Sequence, residues 1–157
     1  MHPNAELITR FYEAFQRRDA DAMCACYHRE VEFCDPVFPT LKGDAACAMW
    51  RMLVARGKDL TLEFDDVAAD AAAGRAHWVA RYTFSKTGRV VTNDIRAEFA
   101  FRDGLIVRHR DRFDLWRWAR MALGVQGVLL GWLPPVQNKI RAEAAAALAV
   151  YRAQQSA

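Results

Sequence analysis

The chain has 157 residues, 53% hydrophobic and 26% charged, with a formal net charge of +3. That length suits one domain with a sizeable core, and the apolar content excludes disorder as the default state. Acidic and basic residues are interspersed throughout, so the mild positive charge gives no nucleic-acid footprint and no nucleic-acid partner is expected.

No apolar run precedes Glu6, so no secretory leader is expected. The longest apolar tract, Met121 to Leu133, is interrupted by Gly124, Gln126, Gly127 and Gly131. It is also shorter than the roughly 20 residues that span a bilayer. A soluble, cytoplasmic protein without a membrane partner is the expectation. Cys24, Cys26, Cys34 and Cys47 include no C-x-x-C pair. They read as reduced, buried thiols, and no metal site is expected.

Leu7, Ile8, Phe11, Tyr12 and Phe15 recur at helical spacing, which predicts an amphipathic helix over Asn4 to Arg17. Asp19 suits the N-cap of a second helix reaching Tyr27. Val31 to Cys34 reads as a short strand ended by Asp35-Pro36, because proline has no ladder donor. Gly43-Asp44 opens a third helix with Cys47, Trp50, Leu53 and Val54 on one stripe, closed by Gly57. Leu60, Leu62 and Phe64 alternate as a strand. His77 to Ser85 and Val90 to Phe101 are two more, joined at Lys86-Thr87-Gly88, and Leu105 to Leu115 is the last.

The hairpin at Asp103-Gly104 has two registers, and each assigns side chains to different faces. A three-residue loop places Ile95, Ala97, Phe99 and Phe101 on one face with Leu105, Val107, His109, Asp111 and Phe113. Arg96 and Glu98 then face outward with Arg108, Arg110 and Arg112. This register separates apolar from charged residues best. A three-residue loop at Lys86-Thr87-Gly88 adds Val79, Arg81 and Thr83 to the inner face beside Asn93 and Ile95. Trp78, Tyr82 and Phe84 fall on the outer face, an aromatic patch that predicts a homodimer contact. The arginine stripe reads as an ion-pair ladder with Glu98 and Asp94.

The inner face is therefore apolar except for Arg81, Asn93, His109 and Asp111. A carboxylate there needs a partner or a proton, which makes it an active-site candidate. Arg81 is its expected partner. Three helices must cover this face, and the element order is α+β. After Leu115 comes an apolar and basic stretch, then a helix opened by Pro134-Pro135 with Val136, Ile140, Ala144, Ala147, Leu148 and Tyr151 on one stripe. The stretch from Trp116 to Leu133 is expected to dock on the domain or a dimer partner; a peripheral membrane contact is its alternative reading.

Phe11-Tyr12-Glu13-Ala14-Phe15 with Asp19, Glu32-Phe33-Cys34-Asp35-Pro36, Arg102-Asp103-Gly104-Leu105-Ile106-Val107 and Arg110-Asp111-Arg112-Phe113-Asp114 carry a family resemblance. In these the chain resembles the SnoaL-like group of the nuclear transport factor 2-like superfamily, over roughly its first 115 residues. The resemblance implies a cystatin-like α+β fold: a curved, mostly antiparallel sheet wrapped by helices into a cone with an interior pocket. Residues 1–115 would form the cone and 116–157 a helical extension. Members include ketosteroid isomerases, epoxide hydrolases, polyketide cyclases and non-catalytic modules, so fold does not give function.

Carried over by position, the isomerase base falls at Asp35, its oxyanion tyrosine at Phe11 beside Tyr12, and its second acid near Ala97. The limonene epoxide hydrolase pattern falls at Arg81, Thr83 and Asp111. The cyclase acid/base falls at Asp111. The reading is a cofactor-free acid/base protein for a small, largely apolar molecule, with Asp111, His109, Arg81 and Asp35 as the catalytic set. Phe11, Phe15, Trp50, Val79, Thr83, Asn93, Ile95, Ala97, Phe99 and Phe113 would line the pocket. A non-catalytic binding module and a dimer with a self-filled core are the alternatives. Asp35 as a mere Asx-turn is the plainer account of that residue.

Overall fold

The computed structural model describes residues 1–157. Helix α1 (Pro3–Gln16) opens with proline in its first turn and His2 Nδ1 accepting from the Asn4 amide at 3.1 Å. Its stripe of Leu7, Ile8, Phe11, Tyr12 and Phe15 is buried. Helix α2 (Ala20–Ala25) is capped by Asp19, whose side chain accepts from the Ala22 amide. Strand β1 (Tyr27–Cys34) begins earlier than the pattern suggests, so Tyr27 is a strand residue and not helical. A two-residue strand β2 (Leu41–Lys42) precedes α3 (Asp44–Arg56), which buries Ala46, Met49, Trp50 and Met52.

Four long strands follow: β3 (Thr61–Ala69), β4 (Ala73–Phe84), β5 (Arg89–Arg102) and β6 (Leu105–Arg112). The sheet order is β2-β1-β6-β5-β4-β3, with β1 and β6 parallel and every other pair antiparallel. Helices α1 and α3 cover one face, and aromatic side chains fill the space between. This is the α+β arrangement expected.

The β5–β6 hairpin reaches the expected faces by a different route. Asp103 and Gly104 form a two-residue turn, both at positive φ, which suits the twist of the flanking strands. A bulge beyond Phe101 then restores the parity. Ala97 therefore lies opposite Asp111 and Phe99 opposite His109, all facing inward.

The β4–β5 hairpin overturns an expectation. Phe84 pairs with Arg89, so the turn has four residues, Ser85 to Gly88, and not three. One extra residue exchanges the faces of β4. Ala76, Trp78 and Ala80 are buried, whereas Arg81 and Thr83 are exposed and Val79 is half-buried on the outer side. Thr83 donates its hydroxyl to Asp59 at 2.6 Å. Trp78, Tyr82 and Phe84 pack inside, so the outer aromatic patch that motivated a homodimer does not exist.

The outer face carries charge instead. His77 is held between Asp65 at Nδ1 and Asp94 at Nε2, each at 2.7 Å. Those hydrogen bonds, with Asp65 first, raise its pKa. Asp94 is thereby taken from the expected arginine ladder, of which the Arg112–Glu98 pair remains, at 3.3 Å.

The C-terminal segment forms three helices: α4 (Leu115–Leu123), α5 (Val125–Leu130) and α6 (Pro134–Ser156). Asp114 faces outward and caps α4 by accepting from the Arg117 amide. Leu115, Trp118, Ala119 and Ala122 pack with Val91 over one end of the sheet. Trp118 Nε1 donates to the Tyr82 hydroxyl at 2.7 Å. Helix α5 lies so close to α4 that a Cβ on Gly127 would sit 1.9 Å from the Ala119 carbonyl oxygen, which only glycine permits. Helix α6 buries Leu148 against the main core, with Ala144, Ala147 and Tyr151 beside it. Its Arg141 donates to the Pro36 carbonyl at 2.8 Å. No helix is long and apolar enough to cross a membrane.

Candidate functional site

The inner end of β6 holds a continuous polar string inside an aromatic core. His109 is 0% exposed and Asp111 3%. Trp50 Nε1 donates to the Tyr27 oxygen at 2.8 Å, and the Tyr27 hydroxyl lies 2.7 Å from His109 Nδ1. His109 Nε2 is 2.9 Å from Asp111 Oδ1, which Trp78 Nε1 also approaches at 3.4 Å. One proton assignment satisfies every member. With a neutral imidazole protonated on Nε2, Tyr27 donates to Nδ1 and His109 donates to the Asp111 carboxylate. The indole of Trp50 thus fixes the tautomer of His109 through Tyr27. Burial pushes the Tyr27 hydroxyl well above its ordinary pKa, so it remains a donor.

Asp111 Oδ1 takes both hydrogen bonds, which leaves Oδ2 without a protein partner. Asp111 is itself one of the residues that border a cleft of about 310 Å³ where β6 runs on past the end of β1, together with Cys34, Asp35, Pro36, Pro39, Arg110, Arg112 and Phe113. On the other wall, Asp35 Oδ1 accepts from the amides of Val37 at 2.7 Å and Phe38 at 2.6 Å. This is the Asx-turn that the Asp-Pro step suggested, and it also leaves one oxygen free. Burial, opposed by the Phe38 amide and reinforced by the charge of Asp111, raises the Asp35 pKa to about 7. Two carboxyls with different partners therefore share one cleft. Tyr82 stands near Asp35, whose charge adds to burial in raising the phenol pKa.

Of the expected catalytic set, Asp35 and Asp111 both line the cleft, and His109 is hydrogen-bonded to Asp111. Arg81 does not join them: it points away from the interior, so Asp111 is partnered by His109 and Trp78. Of the expected lining residues, Phe113 borders the cleft. Val79 and Thr83 are on the outer side. Phe11, Phe15, Trp50, Ile95, Ala97 and Phe99 are buried in the core, with Phe11, Trp50 and Phe99 packed around the His109 ring. Asn93 is buried on the inner face opposite Ala80. Aromatic rings thus pack around His109 inside the fold, and the cleft beside Asp111 lies at the ends of β1 and β6. Tyr27, Trp78, Tyr82 and Trp118 were not among the sequence candidates. Tyr12 lies on the buried stripe of α1 as expected, and its hydroxyl is the one buried side-chain polar atom lacking a hydrogen bond.

The raised pKa of Asp35 has a measurable consequence. A carboxyl whose folded pKa lies above its unfolded value stabilises the fold only while protonated, so this contribution is lost as pH rises from about 4 to about 7. The move from 3.8 to about 7 is worth at most ~4 kcal/mol, and partial exposure reduces it to roughly 2 kcal/mol. Asp35→Asn keeps the two amide hydrogen bonds and removes the titration. Its stability gain over wild type should be near zero at pH 4 and reach roughly 2 kcal/mol above pH 7, read by urea unfolding at each pH. A gain that does not change with pH would show that Asp35 titrates normally.

The family described as a SnoaL-like domain matches residues 8–109. Among solved structures, a nuclear transport factor 2-like protein of unknown function from Burkholderia pseudomallei is 24% identical, with a TM-score of 0.69 over 77% of this chain and 98% of that one. A proposed polyketide cyclase from Xanthomonas campestris pv. campestris is 26% identical, with a TM-score of 0.63 over 76% and 96%. An epoxide hydrolase of the limonene type from Mycobacterium tuberculosis is 20% identical, with a TM-score of 0.61 over 85% and 95%. No protein of curated function matches the sequence.

Proposed function

The chain belongs to the SnoaL-like domain family, and on that premise we propose that it carries out cofactor-free acid/base chemistry on a small, largely apolar molecule held at the Asp35–Asp111 cleft. The observation that carries this reading is the pair of carboxyls that line one cleft, each with one oxygen anchored by hydrogen bonds and one without a protein partner. Asp111 is the base: its free Oδ2 takes a proton from carbon or water, while the His109 Nε2–H holds Oδ1 in place. Asp35 is the acid: with a pKa raised to about 7, about half of the molecules carry its proton at neutral pH, ready to be given to an oxygen that gains charge. One proton enters at Asp111 and one leaves at Asp35, and exchange with water resets both. The outward Arg81 removes the Arg–Asp pair of the epoxide hydrolase pattern, which favours isomerase or cyclase chemistry over epoxide opening.

Asp111→Asn tests the reading. It preserves shape and removes proton transfer, which is worth about 10²–10⁴ in rate. Screened on linear 1,3-dicarbonyl compounds and on epoxides, the wild type should turn over the former, and Asp111→Asn should lose that activity while still unfolding cooperatively at a melting temperature only a few degrees lower. Undiminished turnover in the variant would make the carboxylate structural. The rings packed around His109 favour one other reading, a non-catalytic binding module using the same cleft; a ligand retained without turnover across the whole panel would support it.

A further inference from the structure

The stretch from Trp116 to Leu133 is expected to dock its apolar side chains on the domain or a dimer partner, and in the chain itself only part of it is buried. Trp118 and Leu115 are buried, but Val125 is 74% exposed, Leu129 64%, Trp132 57%, Val128 48%, Leu130 46% and Trp116 36%. Four of the six are in α5 and Trp132 follows it, while Trp116 of α4 joins them through its indole N–H, which donates to the Val128 carbonyl at 3.3 Å. So dense an apolar cluster on an exposed six-residue helix is a contact surface.

Its charged surroundings select the occupant. From Leu115 to Ala142 the sequence contains Arg117, Arg120, Lys139 and Arg141 and no acidic residue. Arg141 is turned to the Pro36 carbonyl, but Arg89 compensates. Its side chain donates to the Met121 carbonyl at 2.8 Å and lies against Gly124 at the start of α5. Arg89, Arg117, Arg120 and Lys139 form no ion pair. Arg120 lies 4.4 Å over the Trp116 ring, which keeps a positive charge at the edge of the patch. Apolar side chains at the centre, two tryptophans at the margin and Arg89, Arg117 and Arg120, which form no ion pair, beside them are what an interfacial element needs against anionic headgroups. A protein partner of this polarity would need an apolar face ringed by acids, and a second copy would set these same bases against one another.

We propose that the α4–α5 surface is a peripheral docking element for an anionic phospholipid bilayer, with α5 seated at the headgroup boundary. Its exposed residues are not among those that line the Asp35–Asp111 cleft, and the proposal does not depend on the activity proposed for that cleft. The test is co-sedimentation of the full-length protein with vesicles of phosphatidylcholine alone or mixed with phosphatidylglycerol. Binding should require phosphatidylglycerol and weaken as salt is raised. The triple variant Val125→Ser, Leu129→Ser, Trp132→Ser alters exposed positions only. It should lower the partition coefficient about tenfold or more with an unchanged melting temperature. The pair Arg117→Gln, Arg120→Gln should reduce the phosphatidylglycerol dependence. Three results would overturn the proposal: no binding to either vesicle, equal binding to both, or unchanged binding by the triple variant. A lipid-free dimer in sedimentation equilibrium that the triple variant abolishes would assign the patch to a second copy instead.

Discussion

His109→Ala is expected to destabilise the protein by about 3–5 kcal/mol, more than any substitution outside the core. Its ring is 0% exposed and touches Phe11, Phe33, Trp50 and Phe99. Removing it opens a cavity among those rings. It also strands two polar groups. The Asp111 carboxylate keeps only the long 3.4 Å contact to Trp78, and the Tyr27 hydroxyl loses the acceptor for its proton. Each buried group left without a partner costs roughly 1–3 kcal/mol, and more where it is charged. For a domain of this length the melting temperature should fall by on the order of 10 °C. Asp111→Asn, by contrast, removes the buried charge and keeps an acceptor for His109, so it should cost roughly 1–2 kcal/mol. Urea unfolding of both variants checks the ordering. A loss under about 1 kcal/mol at position 109 would mean that the string is not a connected network in solution.

The same residues show what the sequence makes legible. Along β6, alternation alone assigns His109 and Asp111 to the core face, and the fold confirms it even though the turn at Asp103-Gly104 is shorter than the three-residue reading. The bulge past Phe101 supplies the missing residue, so parity survives an error in turn length. No such bulge rescues β4. Its own pattern sets Ala76, Trp78, Ala80, Tyr82 and Phe84 against His77, Val79, Arg81 and Thr83, which already assigns the apolar set inward. Counting the following turn as three residues reverses that assignment and brings Arg81 to Asp111. Periodicity over nine residues is a stronger constraint than the length of one polar turn.

The partners of the dyad were hidden for a different reason. Tyr27 sits where α2 has just ended, and its inward direction depends on the irregular pairing of β1 with β6 between Tyr27 and Glu32. Trp50 is legible as a core residue of α3, but the direction of its indole N–H is set by tertiary packing. A buried tryptophan or tyrosine needs somewhere to send its proton. Counting such donors against the few buried acceptors, here His109 and Asp111, is the signal that would have grouped Trp50, Tyr27 and Trp78 with the site. The raised pKa of Asp35 was out of reach in the same way: it comes from burial and from a carboxylate 76 positions away in the sequence.

Ending the chain after Leu115 is expected to leave a protein that does not fold cooperatively. The matched family segment stops at 109 and the last strand at Arg112, so the three terminal helices have the look of an appendage. Their contacts argue otherwise. Trp118 and Leu148 are buried, and Met121, Leu123, Ile140 and Tyr151 are partly buried against the two core clusters. At about 1.5–3 kcal/mol for a large side chain fully buried, and less for the partly buried ones, the loss is on the order of 5–10 kcal/mol. That equals the whole stability of an ordinary domain. The truncation would also expose Val91 and the inner sides of Tyr82 and Phe84, and leave the Tyr82 hydroxyl without its Trp118 donor. Ending the chain after Leu133 separates the parts. That form keeps α4 over the sheet but loses Leu148, the Lys86–Glu143 pair and the bond from Arg141 to Pro36. It should melt cooperatively at a temperature lower by roughly 5–10 °C, with faster amide exchange in residues 35–39 beside Asp35. Scanning calorimetry and hydrogen exchange read both outcomes. A cooperative transition at the wild-type temperature after removal of residues 116–157 would make the extension a passenger on the cone.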